Sequence, residues 1–361
     1  MSIDFKGNIA PYGYSSDGGG IMQLMPVRMK DIARDLGVSV VTVSKVLRNH
    51  VDIGEETRAR ILKRMKELNY RPNLAARALV TGRTFSIGMV VPDLIHPFFA
   101  TLATGMSKVL RSQGYGLIMS CSEEDPELER QEIEQLLTRR VDALIIASAQ
   151  GSGQSFRRID EHQIPYVLVD RQFSGFTANF VGVDDETVGM MATKHLIEAG
   201  CRRLAHIGGP QVSTALGRRE GFRKALAQHG LPIPDAHMIA KAVTGDHAGD
   251  LSGHDAMRKL LRLKPDGVFC YNDPTAMGAM NAILEAGLRI PEDIAIIGCG
   301  NVRYADSLRV PLSSIDQESE AIGAGAAGLA LDLVGSKTAR EPKTILLEPK
   351  LVVRASSRRS A

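Results

Sequence analysis

The 361-residue sequence predicts an α/β protein in which a small helical module precedes a larger core. Two observations predict this fold class. Residues 29–47 show helical apolar spacing interrupted by a glycine, and a third amphipathic stretch follows over residues 55–68. From residue 85 onward, short continuous apolar runs alternate with amphipathic helical stretches, which is typical of parallel strands buried on both faces of a sheet.

The stretch 29–47 has the pattern of a helix-turn-helix, the motif whose second helix enters the major groove of DNA. Ile32, Ala33 and Leu36 share one face of the first helix, and the small Ala33 side chain lets the two helices cross closely. Gly37 can adopt the positive φ that the sharp turn between the helices requires. An ordinary helical corner inside a larger helical domain is the alternative.

The second helix is expected to begin after Ser39, whose hydroxyl can accept a hydrogen bond from a backbone N–H of the first turn. Val43 and Val46 are spaced to face inward. The outer face would then carry Val40, Val41, Thr42, Ser44 and Lys45. The apolar stripe of the third helix is formed by Ile61, Leu62, Met65 and Leu68.

Charge is distributed unevenly along the chain. The net charge is only +3, but residues 28–80 contain twelve lysines and arginines against six acidic residues, so the rest of the chain is net negative. A basic module on a near-neutral body suits contact with DNA phosphates without indiscriminate attraction to nucleic acid. The charge distribution therefore favours a DNA-binding module over the helical corner.

Short motifs accompany these helices. They are DIA, LGVS and TVSKVL in the first two helices, ETR in the third, and then NYRPN and AR-x-L. Together they resemble the lac repressor family of bacterial regulators, and the resemblance extends over about residues 28–355. It implies a headpiece on a two-lobed core like that of periplasmic binding proteins. It also implies a homodimeric regulator, usually a repressor, that binds a palindromic double-stranded DNA operator and responds to a small effector, generally a carbohydrate.

The resemblance implies domain boundaries as well. The expected segments are a disordered extension over 1–27, the DNA-binding headpiece over 28–72, a hinge helix and linker over 73–84, and an effector-binding and dimerisation core over 85–357. The expected lobes are about 85–185 with 318–345, and about 186–317 with 346–357. Because no heptad pattern follows residue 353, a dimer is expected rather than a tetramer.

By the same resemblance, Val40 and Val41 occupy the positions that vary with operator sequence. Valine side chains cannot hydrogen-bond to a base edge, so they would contact thymine methyl groups, while Lys45 can donate to guanine O6 and N7. Phosphate contacts are expected from Thr42, Ser44, Asn49 and Thr57. In the hinge helix, which begins at Asn73, Leu79 would wedge into a base step from the minor groove and Arg77 would add backbone or dimer contacts. A helical linker that does not touch DNA is the alternative.

Eight apolar runs beyond residue 85 are strand candidates. They are 86–92, 116–120, 143–147, 166–169, 180–183, 204–208, 267–271 and 294–298. Helical crossovers are predicted at 128–139, 188–199 and 275–286. This alternation predicts a doubly wound core with parallel sheets, in which ligands bind beyond the carboxyl ends of the strands.

Polar and aromatic residues directly follow several of these strands. A sugar requires charged or amide groups that bind adjacent hydroxyls, and an aromatic face against its C–H side. The candidate effector-binding residues, which resemble the sugar-cleft residues of the family, are His96, Phe98, Phe99, Asp170, Arg171, Arg218, Asn272 and Gln317. A local Asp170–Arg171 ion pair and a His96 that only supports the following turn are the alternatives, and Asp184 and Asp185 are expected to cap a helix.

One position departs from the family pattern. After residues 296–298, sugar-binding relatives usually carry an aromatic residue and then an aspartate that accepts hydrogen bonds from ligand hydroxyls. Here Cys299, Gly300 and Asn301 occupy this stretch. Gly300 supplies no carboxylate, so either Asn301 substitutes for it or the ligand lacks the corresponding hydroxyl.

A G-x-G-x-x-G pattern occurs at residues 323–328. A dinucleotide site needs this pattern directly after an apolar strand, whereas here it follows the polar stretch 317–321. We interpret these glycines as small residues that allow two helices to pack closely. Neither a catalytic triad nor a metal-ligand cluster is evident, and the four cysteines lack metal-ligand spacing, so no cofactor, metal or enzymatic activity is expected.

The sequence shows no signal for export or membrane insertion. Residues 1–27 lack the basic segment and apolar segment of a secretory leader, and no apolar run is as long as a membrane span. The expected location is the cytoplasm. The competing classes are a carbohydrate-active or NAD-dependent enzyme with a DNA-binding tail, and a sugar-binding transport protein.

Overall fold

The computed structural model describes residues 27–47, 50–70, 77–78, 81–233, 235–239, 249–336 and 341–359. The chain separates into two compact units, Met1–Arg77 and Ala78–Ala361. Three residues that the sequence analysis assigns to DNA contact lie outside the described residues, namely Asn49, Asn73 and Leu79. Residues 1–26 of the expected extension also lie outside them, whereas Arg77 is described and helical.

The first unit contains three helices, α1 (Met29–Leu36), α2 (Val40–Leu47) and α3 (Glu55–Glu67). Their shared core is formed by Ile32, Ala33, Val43, Val46, Ile61 and Met65. Gly37 has a φ of 64° and ends α1, as the turn requires. The backbone N–H of Thr42 donates to Ser39 Oγ at 3.0 Å, so the predicted cap of α2 is present.

The apolar stripe of α3 is narrower than predicted. Leu62 is 48% exposed, because it lies about 100° around the helix from Ile61, which together with Met65 faces the core. The prediction that Leu62 belongs to the stripe is therefore wrong. Arg64 binds Asp35 of α1 at 2.6 Å, which ties the partly exposed side of α3 to the first helix.

The second unit contains twelve strands and eight longer helices among its described residues. The strands are β1 (Ser86–Val91), β2 (Gly116–Cys121), β3 (Ala143–Ile146), β4 (Tyr166–Val169), β5 (Phe180–Val183), β6 (Leu204–Ile207), β7 (Met238–Ile239), β8 (Gly267–Cys270), β9 (Ala295–Cys299), β10 (Ser313–Asp316), β11 (Thr344–Leu347) and β12 (Lys350–Val352). The helices are α4 (Pro97–Ser112), α5 (Pro126–Thr138), α6 (Arg157–Glu161), α7 (Asp185–Glu198), α8 (Ser213–Gln228), α9 (Asp250–Leu260), α10 (Asp273–Glu285) and α11 (Ser319–Gly335).

The strands form two six-stranded sheets, with orders β11-β5-β4-β3-β1-β2 and β12-β10-β9-β8-β6-β7. The first sheet is entirely parallel. In the second sheet, β12 runs antiparallel to β10, which departs from the expected parallel arrangement at one edge. The doubly wound α/β core is confirmed, and the chain passes between the sheets after β5, after β10 and between β11 and β12.

The eight predicted strands are all present within about one residue at either end. Four strands were not among the candidates: β7, β10, β11 and β12. Most of these are short edge strands whose residues are half-buried or exposed, so they lack a continuous apolar run. In β10 the polar Ser313 and Ser314 are buried because hydrogen bonds to Arg354 and Asp273 satisfy their hydroxyls.

The G-x-G-x-x-G glycines lie inside α11, and at Gly323 the helix packs as closely as interpreted from the sequence. A Cβ on Gly323 would lie 2.0 Å from the Leu102 carbonyl oxygen of α4. On the facing helix α4, a Cβ on Gly105 would lie 2.0 Å from the Glu320 carbonyl oxygen of α11. Among the described residues, no helix is both long and apolar enough to cross a membrane.

His206 is a buried titratable group in β6. Its ring stacks between Phe222 and Phe269, its Nδ1 lies 3.0 Å from the Phe269 carbonyl oxygen, and its Nε2 has no hydrogen-bond partner. Burial lowers the pKa of His206 from 6.5 to about 4. As the pH falls from about 6.5 towards 4, the unfolded chain therefore takes up a proton at this residue that the folded chain does not, and stability is lost.

We expect the variant His206→Phe to lose less stability than the wild type between pH 7 and pH 5. Between pH 7 and pH 5, the wild type should lose about 2 kcal/mol more unfolding free energy than His206→Phe. This value follows because each pH unit below the unfolded pKa of about 6.5 costs about 1.4 kcal/mol. Urea unfolding of both proteins at the two pH values measures it. Parallel pH dependences would show that His206 does not titrate as described.

Candidate ligand cleft and DNA-binding surface

A cavity in the second unit is lined by residues that follow strands of both sheets. All eight candidate effector-binding residues lie on it, so the structure brings together side chains that are up to 221 positions apart, from His96 to Gln317. The cavity has a volume of about 50 Å³. Since one water needs roughly 10–15 Å³ of such a cavity, the cleft has room for only a few waters.

His96 and Asn272 face each other across the cleft. Asn272 Oδ1 accepts from the Thr275 backbone N–H at 2.8 Å, which caps α10 and points Nδ2 towards His96 Nε2 at 3.0 Å. His96 Nδ1 accepts from the Phe98 backbone N–H at 3.3 Å and caps α4. Burial lowers the pKa of His96 to about 4, so the ring is neutral at pH 7. The 3.0 Å contact between Asn272 Nδ2 and His96 Nε2 joins the two sides of the cleft and leaves no room for a ligand atom between these nitrogens.

Arg171 is held by an ion pair with Glu124 rather than with its neighbour Asp170. Its two terminal nitrogens donate to the two Glu124 carboxylate oxygens at 2.7 and 2.8 Å, and one of them also donates to the Ser148 carbonyl oxygen. The nearest Asp170 oxygen is 3.8 Å from Arg171 Nε. The local Asp170–Arg171 ion pair is therefore not what fixes this guanidinium group.

Arg218, in α8, lies beneath the cleft wall that Tyr271 forms. Its Nε donates to Asp185 at 2.8 Å, its Nη1 donates to the Tyr271 carbonyl oxygen at 2.7 Å, and its guanidinium carbon lies 4.8 Å from the Tyr271 ring centroid. Burial raises the pKa of Asp185 to about 6, against the lowering effect of Arg218. Asp184, by contrast, caps α7 by accepting from Glu186 at 3.0 Å. The expectation of a capping role is confirmed for Asp184 and is wrong for Asp185, which binds Arg218.

Three buried polar atoms on the cavity lining have no hydrogen-bond partner. They are Asp93 Oδ2, Arg171 Nε and Gln317 Nε2. The first is an acceptor and the other two are donors. A buried polar group without a partner is costly, so such groups usually meet a water or a ligand. Here they present the mixed donors and acceptors that a polyhydroxylated molecule can satisfy.

The charge of the lining disfavours an anionic ligand. Three carboxylates, Asp93, Glu124 and Asp170, face two guanidinium groups, and His96 is neutral. The carboxyl groups of the lining therefore outnumber its guanidinium groups. Both guanidinium groups are already bound to carboxylates, so an anion entering the cleft would lose its hydration without gaining a cation of its own.

Asn301 does not take the place of the missing aspartate. It is not among the described residues that line the cavity, and its amide is held elsewhere: Nδ2 donates to Asp316 at 2.8 Å and Oδ1 accepts from Arg354 at 2.8 Å. Gly300 has a φ of 124°, a conformation that an aspartate would adopt only with strain. The cavity wall at the end of β9 is instead the Cys299 side chain. The sequence left two alternatives, that Asn301 substitutes for the aspartate or that the ligand lacks the corresponding hydroxyl. The geometry favours the second.

Sequence reasoning left several lining residues out of the candidate set. They are Asp93, Glu124, Gly208, Gly209, Pro210, Gly249, Ser252, Tyr271, Thr275 and Cys299. Glu124 and Tyr271 could have been found by the rule that selected the others, because each follows the carboxyl end of a strand within three residues. Among the described residues, no group of three or more potential ligands could hold a metal ion.

In the first unit, α2 presents an apolar outer face. Val40 is 46% exposed and Val41 is 61% exposed, whereas Val43 and Val46 are buried. Thr42, Ser44 and Lys45 are half-buried on the same helix, and Thr57 is half-buried in the first turn of α3. Exposed valines are poorly placed for stability but well placed to contact thymine methyl groups. Base and phosphate contacts by these residues remain predictions.

A three-helix module of this geometry and a two-sheet core with a polar cleft, joined in one chain, define a DNA-binding regulator with a ligand-binding domain. Residues 28–73 match the family model described as bacterial regulatory proteins, lacI family. Residues 84–351 match the model described as periplasmic binding proteins and sugar binding domain of LacI family. The chain belongs to the LacI family of transcriptional regulators.

Named relatives match along nearly their whole length. The HTH-type transcriptional repressor PurR of Haemophilus influenzae is 33% identical over 336 residues, which is 91% of this chain and 98% of that protein. The ribose operon repressor of Escherichia coli is 34% identical over 336 residues, which is 91% of this chain and 99% of that protein. The resemblance predicted from the short motifs is confirmed.

Solved structures agree with this assignment. A complex of the transcriptional regulator CelR with cellobiose is 28% identical, has a TM-score of 0.68, and aligns over 91% of this chain and 99% of its own. A LacI family regulator from Enterococcus faecium with bound ribose is 28% identical, has a TM-score of 0.67, and aligns over 75% of this chain and 98% of its own. The fold predicted from the sequence is confirmed.

Proposed function

We propose that this chain is a cytoplasmic, homodimeric repressor whose affinity for a palindromic operator is set by a neutral carbohydrate bound in the cleft. Its role is binding rather than catalysis. The observation that carries the ligand class is the set of partnerless donors and acceptors on the lining, namely Asp93 Oδ2, Arg171 Nε and Gln317 Nε2. The relatives crystallised with ribose and cellobiose support the same class.

The assignment of roles follows the boundaries predicted from the sequence. Residues 28–72 bind the operator, residues 73–84 connect the headpiece to the core, and residues 85–357 bind the effector and the second subunit. Val40 and Val41 contact thymine methyl groups and Lys45 contacts guanine. The effector is held by the eight candidate residues, to which the structure supports adding Asp93 and Tyr271.

The proposed mechanism couples the cleft to the operator. The cleft is narrow, with a volume of about 50 Å³, so we infer that the lobes part for ligand entry and close around the ligand in a different relative position. In a dimer, a changed lobe position shifts the two connecting segments relative to each other, and with them the spacing of the headpieces. Such coupling is typically about 1–3 kcal/mol, which is roughly a 5- to 150-fold change in operator affinity.

Operator binding is tested first, without any ligand. A pool of random duplexes is selected on the purified full-length chain, and the enriched duplex is compared with a scrambled duplex by fluorescence anisotropy at moderate salt. We expect an enriched sequence with twofold symmetry and a preference of about a thousandfold or more over the scrambled duplex. Equal binding of the two duplexes would contradict the proposed function.

The effector class is tested on the selected duplex. D-ribose, D-glucose, cellobiose and the anion gluconate are added in separate titrations, and a neutral sugar should change the operator Kd while gluconate should not. In the variant Gln317→Met, which removes a buried donor from the lining, the concentration of the active sugar needed for half the effect should rise about tenfold. Gln131→Met, at an exposed position of α5, is the matched control and should leave it unchanged. A response to gluconate alone would contradict the neutral ligand class.

A further inference from the structure

Asp52, between α2 and α3, binds a side chain of the helix that presents the exposed valines. Its carboxylate accepts a hydrogen bond from Lys45 Nζ and lies 3.6 Å from His50 Nδ1. The His50 backbone N–H in turn donates to the Lys45 carbonyl oxygen at 3.0 Å, which fixes this segment against the end of α2. The hydrogen bond from Lys45 lowers the pKa of Asp52, so the Asp52 carboxylate is ionised at neutral pH.

This ion pair lies on the face that α2 turns outward. Lys45 is four residues after Val41, and side chains at this spacing share a helix face. The Lys45 and Asp52 side chains are 35% and 47% exposed, so both remain accessible. A carboxylate on a surface that approaches DNA is repelled by the phosphates. Where Lys45 would otherwise meet only phosphates, its ion pair with Asp52 therefore weakens the attraction to the duplex, in a headpiece that is otherwise basic.

We propose that Asp52 is a specificity-determining residue, which withdraws the Lys45 charge from phosphates and directs its ammonium group at a base. The inference rests on the proposed function, in which α2 enters the major groove. A lysine ammonium group has three N–H donors. Asp52 takes one of them, which leaves two for the O6 and N7 acceptors of a guanine. On a duplex without a guanine at the position that Lys45 reaches, the same ion pair weakens the attraction between the Lys45 ammonium group and a phosphate.

The test compares Asp52→Asn with Glu67→Gln by anisotropy titration on the selected operator and on a scrambled duplex. Glu67 is the matched control, because it is 46% exposed and also binds a cation of the headpiece, Arg64, at 3.1 Å. In Asp52→Asn we expect scrambled-duplex affinity to rise about three- to tenfold at roughly 0.1 M salt, with a log–log salt slope steeper by about 0.9, as one more phosphate contact gives. Operator affinity should change less than about twofold, so the preference falls. Glu67→Gln should leave the preference unchanged.

A second pair of variants isolates the role of Lys45. In a Lys45→Met background, adding Asp52→Asn should change scrambled-duplex affinity less than about twofold, because no ammonium group is released to the phosphates. Circular dichroism of each variant verifies that the headpiece remains helical.

Three outcomes would overturn the inference. In the first, Asp52→Asn and Glu67→Gln change the affinity for the scrambled duplex equally. In the second, Asp52→Asn raises the affinities for the operator and for the scrambled duplex by the same factor. In the third, Asp52→Asn raises scrambled-duplex affinity as much in the Lys45→Met background as in the wild type. A wild type that prefers no duplex at all would instead contradict the proposed function, and with it this inference.

Discussion

Arg218→Met is expected to cost about 3–5 kcal/mol of unfolding free energy, because it leaves the Asp185 carboxylate buried without its cation. The substitution also removes the donor to the Tyr271 carbonyl oxygen at the cleft wall. Methionine retains most of the apolar stem, so packing is largely preserved. Urea unfolding measures the loss as a lower midpoint at an unchanged slope.

The pH dependence of this loss identifies its cause. The pKa of Asp185 is already raised to about 6 in the folded wild type, and removing Arg218 raises it further. A carboxyl group whose folded pKa lies above its unfolded value stabilises the fold when protonated, and that stability is lost as the pH rises through the folded pKa. The cost of Arg218→Met should therefore be largest near pH 8 and smaller near pH 5.

Two further variants serve as controls for this prediction. Arg218→Met combined with Asp185→Asn should recover at least about 1 kcal/mol relative to Arg218→Met alone, because no uncompensated charge remains buried. Arg219→Met, at the exposed neighbouring position of α8, should change stability by less than about 0.5 kcal/mol. A pH-independent loss in Arg218→Met, or none, would show that the ion pair does not act as described.

The fold could be predicted from the sequence where burial leaves a regular pattern. Central strands such as β3 and β8 are buried on both faces and read as continuous apolar runs. Edge strands such as β11 are held by one neighbour and half exposed, so their composition resembles that of loops. The antiparallel direction of β12 depends on how the last segment returns to β10, which no local pattern encodes.

The cleft was predictable for a different reason. In a doubly wound fold the carboxyl ends of parallel strands meet at one edge, so position after a strand selects candidate residues without knowledge of their contacts. Position does not reveal partners. The ion pair of Arg171 with Glu124 joins residues 47 positions apart, and the contact of His96 with Asn272 joins residues 176 positions apart. These pairings follow from packing of the whole core, and they decide which polar atoms remain for a ligand.

The glycines of α11 show that the same residue type has different packing roles at different positions of one helix. Gly323 and Gly328 both lie inside this helix, at the two ends of the G-x-G-x-x-G pattern. At Gly323 an added Cβ would lie 2.0 Å from the Leu102 carbonyl oxygen, whereas at Gly328 it would meet none of the described atoms within 4 Å apart from its own helix. Helix contact, and not the pattern itself, distinguishes the two positions.

Gly323→Ala is expected to destabilise the core by about 1–3 kcal/mol or more, because α4 and α11 must move apart where backbone lies against backbone. Gly328→Ala should instead stabilise it by about 0.5–1 kcal/mol, since alanine restricts the unfolded chain and favours the helix. Urea unfolding of the two variants beside the wild type measures both effects. Opposite signs are the expected result. Equal effects would mean that Gly323 is not a packing residue, and the interpretation of this segment as a helix contact rather than a phosphate loop would lose its support.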